Sequence, residues 1–300
     1  KMRAKLMKVL PHIVSLALLL AGLAGCDRSG DDAGAVAAGT ATPTDGVTIA
    51  YDVRGEGETA LVFIHGWACD RSFWYEQLAD FARDYKVVAL DLGGHGESTV
   101  DRDVWSTAAL GGDVQAVVEE LNLEKVVLIG HSLGGAVALE AARLMPGRVV
   151  GIVGADTLHN AEQEYTEEMV QQAVAAFEAN FQETMSTFVR SAFTDEADPE
   201  LIDWVVSKAC SANGEVASAI ILETPKLDLE QSFRAAKVPI RCINAAPYPP
   251  RNTETKTETN RKYADFDVVV MEGVGHFLML EQPADFNTHL RDILAELLSR

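Results

Sequence analysis

One serine of the 300-residue sequence stands in a pattern typical of a catalytic nucleophile. Residues 130–134 read GHSLG, which matches G-x-S-x-G with Ser132 at its centre. An apolar run at 125–129 predicts a buried strand before the pattern, and residues 134–144 predict a helix after it. In that context the serine sits on a strained turn whose glycines let the backbone pass without clashes; the alternative is a chance glycine-rich turn. An activated serine attacks acyl carbon, which indicates hydrolysis of esters, thioesters, lactones or amides.

Three other segments occur in the order and at the spacings that resemble the α/β-hydrolase superfamily. They are an H-G-x oxyanion loop at 63–67 (FIHGW), a D-x-x-G-x-G-x-S turn at 91–98 (DLGGHGES) and a histidine segment at 273–283 (GVGHFLMLEQP). With the serine pattern they make the sequence similar to this family over about residues 46–299. The resemblance implies an α/β-hydrolase fold, which is a mostly parallel sheet flanked by helices with an inserted helical cap.

The same resemblance implies roles for individual residues. Ser132 would be the nucleophile and His276 the general base. The backbone N–H groups of Trp67 and Leu133 would be the oxyanion donors, each typically contributing ~3 kcal/mol to stabilising the transition state. A serine nucleophile, where some members have an aspartate, favours acyl transfer over epoxide opening or halide displacement.

The triad acid is where the sequence departs from the commonest pattern of the family. Many members place this acid just after the strand that follows the cap, but residues 245–250 (AAPYPP) contain no carboxylate. Asp156 instead ends the strand predicted at 149–155, the position used by some members, certain dehalogenases among them. The resemblance therefore implies Asp156 as the acid. Two alternatives stay open: Asp156 caps the first helix of the cap, or Glu254 supplies the carboxylate.

We expect neither a metal nor another cofactor. The histidines show no metal-ligand spacing, the H-x-H-x-D-H pattern of metallo-lactonases is absent, and no C-x-x-C pair occurs. His65 and His131 are interpreted as packed, hydrogen-bonded neighbours of the site. His159 could line a pocket.

Apolar side chains near the site motifs could form the wall of an acyl pocket. These are Trp67, Phe73, Trp74, Phe277 and Leu278. A second set recurs at helical spacing and is interpreted as the buried face of the cap itself: Met169, Phe177, Phe181, Met185 and Phe188.

The elements that must position these residues alternate between strands and helices. Apolar runs typical of strands buried on both faces occur at 60–64, 86–90, 125–129 and 149–155. Helical patterns lie between them, so a mostly parallel sheet is expected. Residues 158–233 are acidic and helix-forming with no good strand, which predicts a helical cap. The core would then comprise 46–157 and 234–300.

The first residues predict export and a lipid anchor. A basic start precedes an apolar run at 13–25 that is shorter than the ~20 residues needed to span a bilayer. Residues 23–26 (LAGC) resemble the lipobox of bacterial lipoproteins, so 1–25 would be the signal peptide and Cys26 the lipidated residue. Residues 26–45 would continue from that cysteine as a flexible tether. The alternatives are an ordinary signal peptide or a buried helix.

Charge and motifs together define the expected function. A net charge of −20 argues against nucleic acid as a partner, so the partners would be a small acyl substrate and, through the lipid, a membrane. The leading hypothesis is a membrane-anchored esterase of the bacterial cell envelope, facing the periplasm or the exterior. It would hydrolyse carboxylic esters, thioesters or lactones by a Ser-His-Asp triad through an acyl-enzyme. The alternatives are carbon–carbon bond or amide hydrolysis by the same triad, and a binding protein with vestigial activity.

Overall fold

Eight strands, most of them apolar, form one sheet in the computed structural model, which describes residues 36–248 and 253–300. The strands are β1 (Ala37–Ala41), β2 (Ile49–Arg54), β3 (Thr59–Ile64), β4 (Lys86–Leu90), β5 (Lys125–His131), β6 (Val149–Ala155), β7 (Ile240–Ala245) and β8 (Phe266–Met271). Their order across the sheet is β1-β2-β4-β3-β5-β6-β7-β8. The two pairs formed by β2 are antiparallel, and every other pair is parallel. The carboxyl ends of β3, β5, β6 and β7 therefore meet at one edge, where ligands of such sheets bind.

Helices cover both faces of this sheet. The core helices are α1 (Tyr75–Phe81), α2 (Thr107–Glu120), α3 (Leu133–Leu144), α8 (Leu229–Ala236), α9 (Thr257–Asn260), α10 (Leu278–Glu281) and α11 (Pro283–Leu298). Strand β3 shows why two layers form, because its side chains alternate between faces. Val62 and Ile64 join the apolar cluster under α2, α3 and α8. Leu61 and Phe63 join the cluster that includes α1 and α11.

The cap consists of helices inserted between β6 and β7. They are α4 (Glu167–Ala179), α5 (Phe181–Arg190), α6 (Pro199–Cys210) and α7 (Gly214–Glu223). Each begins behind a polar side chain that accepts a backbone N–H of its first turn: Thr166, Asn180, Asp198 and Asn213. Helix α8 packs on core helix α3, and Ser232 Oγ donates to Glu140 Oε1 at 2.6 Å. The predicted cap boundary at 233 therefore falls inside a helix of the core.

The predicted tether at 26–45 is wrong for the five residues Ala37–Ala41, because they form strand β1. This strand pairs with β2 in antiparallel register, and Ala41 is buried. The segment buries little apolar surface by itself, but the edge of the sheet supplies its hydrogen bonds. The small side chains of this segment also allow it to pair closely with β2, because the ring of Tyr51 occupies the space that a side chain on Gly39 would need.

The predicted signal peptide and lipidation site lie outside the described residues, as does the first half of the predicted tether, residues 26–35. Within 36–248 and 253–300, no helix is both long enough and apolar enough to cross a membrane.

Candidate active site

Ser132 sits on a strained turn between β5 and α3. Its backbone has φ 52° and ψ −119°, a conformation that side-chain-bearing residues rarely adopt. The two glycines of the motif are required by close backbone contacts. A Cβ on Gly130 would lie 2.2 Å from the carbonyl oxygen of Gly134, and one on Gly134 would lie 2.4 Å from that of Ile64. The turn places Ser132 at the N-terminal end of α3, where the helix dipole favours negative charge.

His276 and Asp156, which are 120 residues apart in sequence, are in direct contact. Nδ1 of His276 lies 2.5 Å from Oδ2 of Asp156, and both residues are buried. The other oxygen of Asp156 accepts the backbone N–H of Ala245 at 3.1 Å. The backbone N–H of His276 donates to the carbonyl of Ala192 at 2.8 Å, which ties the histidine loop to the residues after α5. This arrangement orients the imidazole with one nitrogen toward the carboxylate.

The structure does not agree with either of the two alternatives left open for Asp156. The first cap helix, α4, is capped by Thr166, so Asp156 is not its N-cap. Glu254 is exposed and pairs with Nζ of Lys256 at 2.7 Å. Of the two candidate acids, the structure brings Asp156 to His276.

A cavity of about 650 Å³ lies between the core and the cap. Ser132, His276 and Asp156 all line it, as do Trp67 and Leu133. The serine pattern, the predicted oxyanion loop and the histidine segment therefore converge on one cavity at the carboxyl edge of the sheet. Its volume is within the usual range for small-molecule sites.

The predicted oxyanion loop lies against the serine turn. A Cβ on Gly66 would lie 2.8 Å from Nδ1 of His131 and 3.2 Å from Cβ of Ser132, so a larger residue at 66 would crowd the serine turn. Leu133 is the first residue of α3, where an N–H has no partner within the helix. The indole Nε1 of Trp67 donates to the carbonyl of Ala217 in α7 at 3.0 Å, which fixes this loop to the cap.

The walls of the cavity differ from the predicted pocket. Met169 and Phe188, interpreted above as part of the cap's buried face, line the cavity and are 54% and 44% exposed. Phe177 is buried and also lines it, whereas Met185 is packed in the core. Four residues suggested for the pocket wall are instead core residues: Phe73, Trp74, Phe277 and Leu278. Helical spacing alone could not distinguish a buried face from a face turned to a cavity, because both are apolar.

Two histidines beside the site are packed and hydrogen-bonded. His65 is fully buried, its Nδ1 donates to the carbonyl of Gly66 at 2.7 Å, and its Nε2 accepts the N–H of Leu92 at 3.0 Å. Burial lowers the pKa of His65 to about 4, so its ring is neutral at pH 7. Nε2 of His131 donates to the carbonyl of His276 at 2.9 Å.

A carboxylate that the sequence did not single out as functional holds the histidine loop. Glu281 accepts the backbone N–H of Gly275 at 2.9 Å and that of Phe277 at 3.2 Å, the residues on either side of His276. Burial raises the pKa of Glu281 to about 7, against the lowering effect of these two hydrogen bonds. The E-x-P spacing after the histidine was the available signal.

No group of three or more His, Cys, Asp or Glu in the described parts of the chain is arranged to hold a metal ion.

His159 lines the cavity, and its Nε2 lies 3.6 Å from Oδ1 of Asp156. The three cysteines within the described ranges, Cys69, Cys210 and Cys242, form no disulfide.

Comparisons with known proteins agree with this architecture. Residues 59–200 match the family model of the α/β hydrolase fold. A thermophilic esterase from Thermogutta terrifontis superposes with a TM-score of 0.75 at 23% sequence identity, covering 87% of this chain and 99% of the esterase. The chain is 26% identical over 251 residues to 3-oxoadipate enol-lactonase 1 of Acinetobacter baylyi, which covers 82% of this chain and 92% of that relative.

A shorter match has higher identity. The chain is 36% identical over 133 residues to the dihydrolipoyllysine-residue acetyltransferase component of the acetoin cleaving system of Cupriavidus necator. That match covers 43% of this chain, and the chain spans only 36% of that relative's length. The family model, which matches less than half of the chain, and the structural likeness agree with each other and confirm the predicted fold class, an α/β-hydrolase fold.

Proposed function

We propose that this protein hydrolyses carboxylic esters, or the related thioesters and lactones, through an acyl-enzyme on Ser132. The contact between Nδ1 of His276 and Oδ2 of Asp156, at a cavity shared with a strained serine, carries the proposal. A carboxylate at Nδ1 fixes the tautomer in which Nε2 is the base. It also stabilises the imidazolium that forms when the serine loses its proton.

The proposed reaction proceeds in two acyl transfers. Oγ of Ser132 attacks the acyl carbon while His276 takes the hydroxyl proton, and the same proton then passes to the departing alcohol. Water attacks the acyl-enzyme in the second step, with His276 again as base, and releases the acid and the free serine. The backbone N–H groups of Trp67 and Leu133 stabilise the oxyanion in both steps.

The cavity supports a substrate with an apolar group of small to medium size. Its lining combines the site residues with apolar cap residues, among them Phe177, Phe188 and Ile220. The names of the relatives, esterase and enol-lactonase, support the same class of reaction. We keep carbon–carbon bond or amide hydrolysis by the same residues, and a binding protein with vestigial activity, as alternatives.

A fluorophosphonate probe followed by ester assays tests the proposal. Wild-type protein should label at Ser132 and hydrolyse p-nitrophenyl esters, with rates that vary across a series of acyl chain lengths. Ser132→Ala should lose labelling and about 10⁴–10⁶-fold in kcat while keeping its circular dichroism spectrum and Tm. Near-normal turnover by this variant would refute the assignment. An unlabelled wild-type protein would favour the binding alternative.

We further propose that the protein is anchored through a lipid on Cys26, at a bacterial membrane facing the periplasm or the exterior. The support is the order of basic start, apolar run and LAGC motif in the sequence. An anchor there would leave the hydrolase core outside the membrane.

A further inference from the structure

The turn that carries Asp156 is strained at two non-glycine residues. Asp156 has φ 44° and Leu158 has φ 53°, both in the left-handed region. Each such residue costs of order 1–3 kcal/mol, and the conformation persists only where surrounding groups determine it. The turn therefore needs strong local hydrogen bonds to keep Asp156 aimed at His276.

Asn244 supplies the hydrogen bonds to the centre of this turn. It is the penultimate residue of β7 and is fully buried. Its Oδ1 accepts the N–H of Thr157 at 3.1 Å, and its Nδ2 donates to the carbonyl of the same residue at 3.0 Å. Nδ2 also donates to Oγ1 of Thr255 at 2.7 Å. One side-chain amide thus satisfies both backbone groups of the residue that follows Asp156.

The backbone of β7 completes this attachment. The N–H of Asp156 donates to the carbonyl of Ile243 at 2.9 Å, and the N–H of Ala245 donates to the Asp156 carboxylate at 3.1 Å. Asn244 lies between these two residues and adds two further hydrogen bonds to Thr157. Three consecutive residues of β7 therefore bind Asp156 and its neighbour.

An amide is the side chain that this position requires. The N–H and C=O groups of Thr157 need an acceptor and a donor side by side, and an ionised carboxylate could only accept. A second buried asparagine acts further along, where Asn260 accepts the N–H of Ala161 at 2.7 Å and donates to the carbonyl of Leu158 at 2.8 Å. Asn260 therefore holds the far end of the segment, and Asn244 is the asparagine that binds the residue next to the acid.

We propose that Asn244 is a positioning residue for the acid of the active site, acting on Asp156 through the two hydrogen bonds to the Thr157 backbone. The inference rests on the proposed function for the role of Asp156 in turnover. The effect of Asn244 on the geometry of the Asp156–His276 contact does not depend on the proposed function. Loss of the amide would let the strained turn relax and move the carboxylate, and a displacement of about 1 Å can cost about 100-fold in rate.

The test compares Asn244→Ala with a matched buried asparagine. Asn287 is also buried, donates to Asp80 at 3.1 Å and accepts from Gln77 at 2.9 Å, in a region outside the cavity lining. Asn287→Ala therefore reports what losing a buried amide costs in stability alone. For each variant we would measure Tm, kcat and KM on a p-nitrophenyl ester, and the downfield proton NMR signal of His276 Nδ1–H.

The expected result for Asn244→Ala is a fall of about 100-fold in kcat with KM within about threefold of wild type, and a shifted or lost Nδ1–H signal. Asn287→Ala should lower Tm but keep kcat and the signal. Asp156→Asn should lose more, about 10⁴-fold. Wild-type kcat and an unchanged signal in Asn244→Ala would overturn the inference, as would an equal loss of kcat in Asn287→Ala.

A milder variant covers the case in which Asn244→Ala does not fold. Asn244→Asp keeps the size of the side chain and an acceptor for the Thr157 N–H, but an ionised carboxylate lacks the donor for the Thr157 carbonyl. It should lower kcat about tenfold, the usual effect of one hydrogen bond, with a shifted Nδ1–H signal. Wild-type behaviour of this folded variant would overturn the inference. If the wild-type protein hydrolyses no ester, the proposed function fails. The NMR comparison then still decides whether Asn244 sets the Asp156–His276 contact.

Discussion

Replacing Glu281 with glutamine should change how the stability of the protein depends on pH. The carboxyl group is largely buried beside the His276 loop, and burial raises its pKa from the ordinary value of 4.5 to about 7. Between these two values the folded protein keeps the proton while the unfolded chain has released it. The free energy of unfolding therefore falls as pH rises, at about 1.4 kcal/mol per pH unit.

The size of the effect follows from the width of that window. Over the full range from pH 4.5 to 7, ionisation of Glu281 lowers the free energy of unfolding of the wild type by about 3 kcal/mol at most. This loss is complete above pH 7 and absent below pH 4.5. Glutamine resembles the protonated carboxyl group at every pH and can still accept an N–H from Gly275 or Phe277. Wild type should thus lose up to about 3 kcal/mol relative to Glu281→Gln between pH 5 and 8.

Urea unfolding at several pH values between 5 and 8 measures this difference directly. Taking wild type minus variant cancels the titration of other buried groups, His65 among them, because both proteins contain them. Parallel curves of unfolding free energy against pH would refute the reasoning. A gap that widens toward low pH would also refute it, because it would mean that the folded state stabilises the ionised form.

Three further predictions concern the site and the anchor. Asp156→Asn should lower kcat about 10⁴-fold while Glu254→Gln stays near wild type, measured on one ester; the reverse pattern would move the acid to the later loop. Gly134→Ala places a Cβ 2.4 Å from the Ile64 carbonyl oxygen, so the free energy of unfolding in urea should fall by about 1–3 kcal/mol and most of the activity should be lost. A change in the free energy of unfolding within about 0.5 kcal/mol would contradict the turn geometry. In the full chain, Cys26→Ser should abolish metabolic labelling with a fatty acid and recovery of the protein in the membrane fraction. An unlabelled wild type would refute the lipoprotein hypothesis.

Much of the sheet could be read from local patterns. Continuous apolar runs predicted the strands that include residues 60–64, 86–90, 125–129 and 149–155, because a strand buried on both faces has few polar positions. The serine turn was readable for a similar reason: glycines at 130 and 134 are demanded by backbone contacts within that motif and the adjacent strand. The predicted tether failed at β1, since an alanine- and glycine-rich edge strand has no apolar period of its own and depends on pairing with β2.

The sequence by itself determined the family resemblance, the candidate nucleophile and base, and two competing acids. Only the tertiary structure brought Asp156 to within 2.5 Å of His276, and only it placed Asn244 beneath that turn. It also separated the cap side chains that line the cavity from those that fill the core. The reason is that periodicity reports the local backbone and which faces are apolar, whereas these contacts join residues about 90 to 120 positions apart and arise only when strands and cap pack together.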